Sequence, residues 1–322
     1  MYSEKNYKML FIPPVIIAVI FLFFATQIEP GIEFTGGTVI SFPTNVSPVQ
    51  VKEDLSSRFD LEELKARSSS GAISGIIIEF KGERTLVAAE EAYKSGDYQA
   101  VFSTLGEPVP AEGNLSELAF KVYNEKKTEF KSSLSSFITE TYHVSSKDIS
   151  SREVGPSLGA VFLSQMQNAL IFSFILMSIL VFVFFRKVLV SFAVIQAAVF
   201  DVIVGLGFIG MMKIPLSLAA VAPLLMLIGY SVDTDIMLSE RVLSRKEGSP
   251  ENRIKSAMRT GFTMTGTTLA ALVALYAAAS FGGVETLAMI AMILFVGLLG
   301  DLVSTWCTNA SILLWISRRR KK

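Results

Sequence analysis

The stretch PLSLAAVAPLLMLIGYSVDTDIML, residues 215–238, is long and apolar enough to cross a bilayer, yet it contains Asp233 and Asp235. About 20 apolar residues span the roughly 30 Å of membrane hydrocarbon. Two further aspartates, Asp201 and Asp301, lie near the middle of similar apolar stretches. An ionised carboxylate at membrane depth costs at least about 2.5 kcal/mol. Four such aspartates therefore indicate a pathway for protons or ions rather than a plain membrane anchor.

The composition of the whole chain is typical of a membrane protein. Of its 322 residues, 51% are hydrophobic, only 18% are charged and 24 are phenylalanine. Soluble domains seldom have this balance. The net charge of +0 gives no sign of a nucleic-acid partner. Cys307 is the only cysteine, which excludes an internal disulfide and a Cys-x-x-Cys metal or redox site.

Six apolar windows predict six membrane-spanning helices. They lie at about residues 9–25, 167–185, 188–212, 215–238, 260–280 and 284–316. The first window resembles a signal peptide because Lys5 and Lys8 precede it, but the segment FATQ at 24–27 offers no small-x-small cleavage site. We interpret this window as a retained anchor.

Lysines and arginines near the predicted helix ends indicate the orientation of the chain. The short loops of one side contain only Lys213. The other side contains Lys5, Lys8, Arg186, Lys187, six basic residues from Arg241 to Arg259 and five from Arg318 to Lys322. The positive-inside rule then places both termini and the 239–259 loop in the cytoplasm. The sequence predicts a multi-pass protein of the cell membrane with residues 29–160 outside the cytoplasm.

The chain accordingly divides into three predicted segments: residues 1–28 with the first helix, residues 29–160 as an exported domain, and residues 161–322 with helices two to six. In the exported domain, Thr38–Phe42 and Ile73–Phe80 have the pattern of strands. Pro48–Phe59 and Leu115–Thr139 have helical spacing. These patterns predict an α+β domain. Glycines and prolines between 82 and 114 predict a loop-rich insertion, and we expect His143 on the surface.

Asp233 and Asp235 lie two positions apart, about 200° around a helix, so they cannot share one face. We expect one of them to face the interior of the helix bundle and the other to face a partner. Ser231 and Ser239 flank Asp235 on its own face. Asp233 lies about 3 Å deeper along the helix, which favours it as the more desolvated group. The alternative is that both lie at the cytoplasmic interface.

Arg259, Thr263, Gly266 and Thr267 form a polar stripe about 12 Å long on the fifth predicted helix. The arginine can swing toward a carboxylate on the fourth helix, which would make a gated proton relay. The alternative is an arginine that reaches to the interface beside a small-residue packing face.

Asp201 and Asp301 must be paired, protonated or hydrated at their depth in the membrane. Asn309, Thr305 and Thr308 keep the sixth predicted helix polar near Asp301.

Four motifs in this chain resemble those of SecD and SecF, the accessory subunits of the general protein-export channel. GIEFTGGT at 31–38 resembles their G-[IL]-D-F-x-G-G-T signature, with Glu33 in place of aspartate. VGPSLG at 154–159 resembles the element that leads into the second helix. GYSVDTD at 229–235 and RTGFT at 259–263 resemble the patterns of the fourth and fifth helices. The motif residues are Gly31, Glu33, Phe34, Gly36, Gly37, Thr38, Gly155, Pro156, Gly229, Tyr230 and Ser231.

The fourth-helix motif departs from the bacterial SecF form. Asp233 stands where asparagine is usual, Thr234 where aspartate is usual, and Asp235 where threonine is usual. The order is closer to that of SecD and indicates an archaeal type of SecF. It leaves open which carboxylate carries the proton.

The resemblance implies six transmembrane helices and one exported α+β domain of ferredoxin-like fold. It implies an accessory subunit, not an enzyme, that works without a cofactor and is driven by the proton motive force. The implied partners are SecD, a SecY-type channel, an unfolded preprotein and membrane lipid. The implied proton-relay residues are Asp233, Asp235, Arg259, Thr263, Asp201 and Asp301.

Two other function classes use intramembrane acids. A small-molecule or lipid exporter of the resistance-nodulation-division type usually contains two six-helix repeats, whereas six helices are predicted here. An intramembrane aspartyl protease needs two carboxylates that share a proton. Asp233 and Asp301 could form such a pair, but no protease signature surrounds either residue. The sequence has no GxxxxGK[ST] phosphate loop, so a gradient or another protein must supply any energy.

Overall fold

The computed structural model describes residues 7–68, 75–244 and 248–319. It divides into two compact units: a membrane unit of Met1–Gly31 with Phe162–Lys322, and an α+β unit of Ile32–Val161. Parts of the sequence predictions lie outside the described residues, namely Lys5, Ile73, Arg245, Lys246 and residues 320–322.

The membrane unit begins with a 3₁₀ turn, Tyr7–Phe11, and helix α1, Ile12–Ala25. Pro13 and Pro14 lie in the first turn of α1, where the missing amide hydrogens cost no helical hydrogen bond. The whole apolar helical segment, Met9–Ala25, is shorter than the later spans.

The α+β unit contains one four-stranded antiparallel sheet and the helices that pack on it. Its elements are α2 (Ile32–Thr35), β1 (Gly37–Pro43), α3 (Pro48–Arg58), β2 (Leu61–Glu62), β3 (Lys65–Ser68), β4 (Gly75–Phe80), β5 (Gly82–Glu83), α4 (Arg84–Lys94), α5 (Tyr98–Thr104), α6 (Leu115–Tyr142) and β6 (Ser150–Val154). The sheet has the order β3-β4-β1-β6, and β2 pairs with β5. The main elements follow the order β-α-β-β-α-β, and the predicted strand at 38–42 and helices at 48–59 and 115–139 are confirmed.

Alternation along the strands explains how this unit buries its core. Ile76, Ile78 and Phe80 of β4 point to one side of the sheet, because successive strand residues face opposite ways. Leu55 of α3 and Leu134 of α6 pack against them and are fully buried.

The segment between 82 and 114 is helical, so the prediction of a loop-rich insertion is wrong. Helices α4 and α5 fill most of it and share a small core with the start of α6, through Ala89, Phe102 and Ala119. Gly96 and Gly106 have positive φ and follow the two helix ends. Glycines in this position end helices, and they do not indicate an irregular loop. His143 is exposed, as expected.

The second half of the membrane unit is almost entirely helical. Its elements are α7 (Pro156–Phe185), α8 (Val188–Met211), α9 (Leu218–Leu243), α10 (Pro250–Phe281), α11 (Glu285–Val303), a π-helix (Ser304–Asn309) and α12 (Ala310–Arg319). The last three run on as one span, Glu285–Arg319. Five helices of the described chain are long and apolar enough to cross a membrane, and the five later predicted windows overlap them.

Helix α8 lies at the centre of the membrane unit, where it packs against α1, α9 and α11. A Cβ atom at Gly207 would overlap the carbonyl oxygen of Phe21 in α1, so only glycine allows this approach. A Cβ at Gly300 of α11 would lie 3.0 Å from the Val204 side chain of α8. Close contact between α8, α9 and α11 brings the interior faces of these three helices together.

An ion cluster in the α+β unit joins helix α6 to the edge strand β6. Lys127 and Lys131 of α6 both bind the Glu153 carboxylate, the former at 2.5 Å. Burial alone raises the pKa of Glu153, but the hydrogen bonds from the two lysines outweigh it and hold the pKa below the ordinary value of 4.5. Stability from this carboxylate is therefore present above that pH and is lost as the pH falls through the lower folded-state pKa.

We expect Glu153→Gln to loosen the α+β unit at pH 7 by a modest amount, because the cluster is partly exposed and screened by solvent. The measurement is protease resistance of this unit in the full chain between pH 7 and pH 3. The wild-type advantage over the variant should disappear at the acidic end. Glu129→Gln is the control, since Glu129 makes only an exposed contact of 3.7 Å with Lys126. Equal resistance of Glu153→Gln and wild type at pH 7 would contradict the expectation.

Candidate functional site

Three aspartates from three helices meet inside the membrane unit. Asp201 of α8, Asp235 of α9 and Asp301 of α11 are each 0% exposed. Asp201 and Asp235 both lie near Asp301, close enough for their charges to interact. We call these three residues the carboxyl cluster. The sequence predicted each member of the cluster as a candidate but did not predict that the three meet.

The hydroxyl of Thr305 bridges two members of the cluster. Its Oγ1 lies 2.9 Å from Oδ1 of Asp235 and 3.1 Å from Oδ1 of Asp301. A hydroxyl has one hydrogen to donate and two lone pairs to accept with. If both contacts are hydrogen bonds, one carboxyl must itself donate a hydrogen to the threonine. A proton on one of these two aspartates would therefore let both contacts be full hydrogen bonds.

Ser304 makes a similar pair of contacts. Its Oγ lies 3.1 Å from Oδ1 of Asp201 and 3.2 Å from the backbone carbonyl oxygen of Asp301. With one hydroxyl hydrogen, Ser304 makes a full hydrogen bond in both contacts if Asp201 donates to it. Ser231 of α9 lies beside Asp201 and Asp301 and adds another hydroxyl to the cluster.

The electrostatic surroundings of the cluster also favour bound protons. The Oδ2 atoms of Asp201, Asp235 and Asp301 are buried and meet no donor in the part of the chain that the structure describes. No ion pair recorded between described residues includes a cluster carboxyl. Burying an unpaired charge costs far more than burying a neutral acid. The cluster is a place where protons can be held and exchanged.

A π-helix positions the hydroxyl groups at this site. In Ser304–Asn309 the amide of Ala310 donates to the carbonyl of Thr305, five residues earlier. Five residues of this segment are buried, namely Ser304, Thr305, Trp306, Thr308 and Asn309, and the first two contact the cluster. Such wide turns occur mostly at functional positions within α-helices. Ser304 is missing from the sequence predictions, although its place one turn after Asp301 is a signal for it.

Asp233 is exposed on α9, whereas Asp235 is fully buried. The structure therefore buries Asp235 within the bundle, whereas the prediction favoured Asp233 as the desolvated group. Burial depends here on the direction around the helix axis rather than on depth along it, and the face with Ser231 and Ser239 is the one that turns inward. The prediction that the two aspartates occupy different faces agrees with the structure.

The predicted stripe on α10 also faces outward. Arg259, Thr263, Gly266 and Thr267 are all exposed. Thr263 donates its hydroxyl hydrogen to the carbonyl of Arg259 at 2.9 Å. Among the recorded ion pairs of the described residues, none joins Arg259 to a carboxylate. The structure thus brings Asp201, Asp235 and Asp301 together and leaves Asp233, Arg259 and Thr263 outside the cluster.

Two of the predicted motifs meet within the α+β unit. Gly37 of the first motif lies opposite Val154 in the sheet, and a Cβ at Gly159 would lie 2.6 Å from the carbonyl oxygen of Phe34. Glu33 pairs with Arg152 at 3.6 Å.

The other motif residues have separate positions. In the membrane unit, the amide of Gly31 donates to Leu216 at 2.7 Å. The remaining members are Gly36 and Thr38 around the start of β1, Gly155 and Pro156 at the start of α7, and Gly229, Tyr230 and Ser231 on α9.

Comparisons with known proteins agree on one family. The family description "Protein export membrane protein SecD/SecF, C-terminal" matches residues 134–319. The chain is 32% identical to "Protein-export membrane protein SecF" of Methanolacinia petrolearia over 100% of this chain and 96% of that protein. It is 31% identical to the protein of the same name from Thermococcus gammatolerans, over 96% of this chain and 84% of that one.

Solved structures show a similar fold. The crystal structure of SecDF, a translocon-associated membrane protein from Thermus thermophilus, matches 99% of this chain with a TM-score of 0.70 at 18% identity, and the match covers 39% of that chain. A heavy metal efflux pump matches 98% of this chain and 49% of its own, with a TM-score of 0.51 at 12% identity. At these identities the likeness concerns the fold alone.

The hydrogen count at Thr305 and Ser304 predicts a protonated carboxyl in the folded chain at pH 7. Infrared spectroscopy of the purified protein should detect the carbonyl stretch of a buried carboxylic acid that shifts in heavy water. Changing Asp201, Asp235 and Asp301 together to asparagine should remove this band. The control Asp233→Asn should leave it unchanged, and a wild-type spectrum without the band would contradict the assignment.

Proposed function

Because the chain belongs to the SecF family of protein-export membrane proteins, in its archaeal type, we propose that it assists preprotein export together with SecD and draws on the proton motive force. The observation that carries the second part is the carboxyl cluster, where three buried aspartates lie around two hydroxyl groups. A proton that enters or leaves this cluster changes the charge of the bundle interior. The cluster then has two charge states, and the packing of the helices that line it can differ between them.

The membrane topology proposed here has six spans. Helix α1 is the first, since Met9–Ala25 is apolar throughout and packs along α8. Both termini lie in the cytoplasm and the α+β unit outside it, in line with the distribution of basic residues. The β-α-β-β-α-β order of that unit supports a ferredoxin-like domain.

The outward face of α9 and α10 is the proposed surface for SecD. Asp233 and Arg259 are exposed there, within spans that would otherwise meet lipid. Charged groups that face hydrocarbon are costly, so a second helix bundle with complementary groups is the favoured neighbour. The Thermus relative supports this arrangement, because this chain matches only 39% of the SecDF chain.

The Sec channel and an unfolded preprotein are the further proposed partners. The description of the Thermus relative as translocon-associated supports the first of these. One charge moved through 100 mV releases about 2.3 kcal/mol, which is enough to bias a two-state rearrangement of the α+β unit. In this proposal the chain catalyses no reaction and uses no cofactor, and membrane lipid surrounds its apolar outer face.

Asp235→Asn should abolish the part of export that responds to a proton gradient, since an amide keeps the shape of the acid but cannot take up the proton. The measurement is the export rate of a reporter preprotein in vesicles that contain this chain, SecD and the Sec channel, with and without an imposed pH gradient. Ser239→Ala on the same buried face of α9 is the control and should retain the response. A normal response in Asp235→Asn would refute the role of the cluster.

The SecD surface has its own test. Asp233→Asn combined with Arg259→Gln should lower the amount of SecD that copurifies with this chain severalfold, because both variants remove charges that need a partner. Arg186→Gln, which removes an exposed charge between α7 and α8, is the control. Undiminished recovery of SecD with the double variant would place the interface elsewhere.

A further inference from the structure

Asp235 and Asp301 are connected through a single oxygen atom. Thr305 Oγ1 lies within hydrogen-bonding distance of one carboxyl oxygen from each, at 2.9 and 3.1 Å, and all three residues are 0% exposed. Bulk solvent therefore does not reach the connection.

The geometry points to Thr305 as the relay residue that passes a proton between Asp301 and Asp235, an inference that rests on the proposed proton-driven function. In the starting state Asp301 is protonated and donates to Thr305, and Thr305 donates to the Asp235 carboxylate. The proton of Asp301 then moves to Thr305 Oγ1 while the original hydroxyl hydrogen of Thr305 moves to Asp235. Asp301 ends as a carboxylate, Asp235 ends as an acid, and the threonine is chemically unchanged.

The other groups around the cluster do not offer the same connection. Ser304 contacts Asp201 and the backbone of Asp301, and its recorded contacts do not reach Asp235. Asn309 lies beside Asp235. Its amide can donate a hydrogen bond, but it does not pass on a proton as a hydroxyl does. Ser231 lies beside Asp201 and Asp301. Within the described part of the chain, Thr305 is the hydroxyl that contacts side-chain oxygens of both Asp235 and Asp301.

The backbone fixes the position of this hydroxyl. Thr305 follows Asp301 by four residues, which places the two side chains one above the other along the helix. The π-helix at Ser304–Asn309 then directs Thr305 toward α9 and Ser304 toward α8, so neighbouring residues contact Asp235 and Asp201. The relay thus joins α9 to α11, and Ser304 joins α8 to the same segment.

Two substitutions separate a relay role from a packing role. Thr305→Val keeps the shape of the side chain and removes the hydroxyl, whereas Thr305→Ser keeps the hydroxyl and removes the methyl group. A relay predicts that valine lowers the gradient-dependent export rate by at least about tenfold and that serine retains most of it. A packing role predicts the reverse order. Thr308→Val, another buried threonine of the π-helix, is the matched control and should behave as wild type.

The assay is export of a reporter preprotein in vesicles with this chain, SecD and the Sec channel, at equal amounts of folded protein. If wild type responds to the pH gradient and Thr305→Val responds equally, the relay is overturned while the proposed function stands. If Thr305→Ser is the more damaged variant, the relay is likewise overturned. If wild type shows no response to the gradient, the proposed function fails, and the relay fails with it because no proton passes.

Discussion

The interior of the membrane unit has to accommodate three carboxyl groups that form no ion pair with a described residue. Asp201, Asp235 and Asp301 belong to different helices, so each one constrains the position of the others. Contacts with the hydroxyls of Ser304 and Thr305 lower the cost of burying these groups. An interior whose acids are hydrogen-bonded to hydroxyls changes its net charge whenever one proton is added or removed.

The packing of the bundle brings the three carboxyl groups and their hydroxyl partners together. Helix α8 approaches α1 and α11 at glycines, and these close approaches bring Asp201 within reach of the last span. The π-helix widens that span where two consecutive hydroxyl residues must contact two different helices. The outer helices α7 and α10 are mostly exposed. They form the outer surface of the membrane unit, whereas α8, α9 and α11 hold the carboxyl cluster. In the α+β unit, Lys127 and Lys131 hold the edge strand to α6 through Glu153.

Periodicity and composition predict the five long apolar helices, strand β1 and helices α3 and α6, because these elements depend on the local order of apolar residues. The spacing of Asp233 and Asp235 places them on different faces of α9. The sequence of α9 alone does not determine which of these faces turns toward the interior of the bundle. The inward direction depends on where α8 and α11 pack against α9. The spacing of residues in the sequence does not give the positions of these helices. Ser304 was missed for a related reason, since an α-helical projection does not anticipate the wide turn that directs it to Asp201. In the 82–114 segment, the glycines suggest a loop from the sequence alone, whereas in the structure Gly96 and Gly106 follow helix ends.

In the proposed relay, the single hydrogen on the Thr305 hydroxyl limits how protons can pass. After each transfer the hydroxyl points back toward the acid that has just lost its proton, and it must rotate before another can follow in the same direction. A column of water needs no such resetting by the protein itself. A relay of this kind passes protons one at a time, which limits the leakage of protons through each copy of the protein.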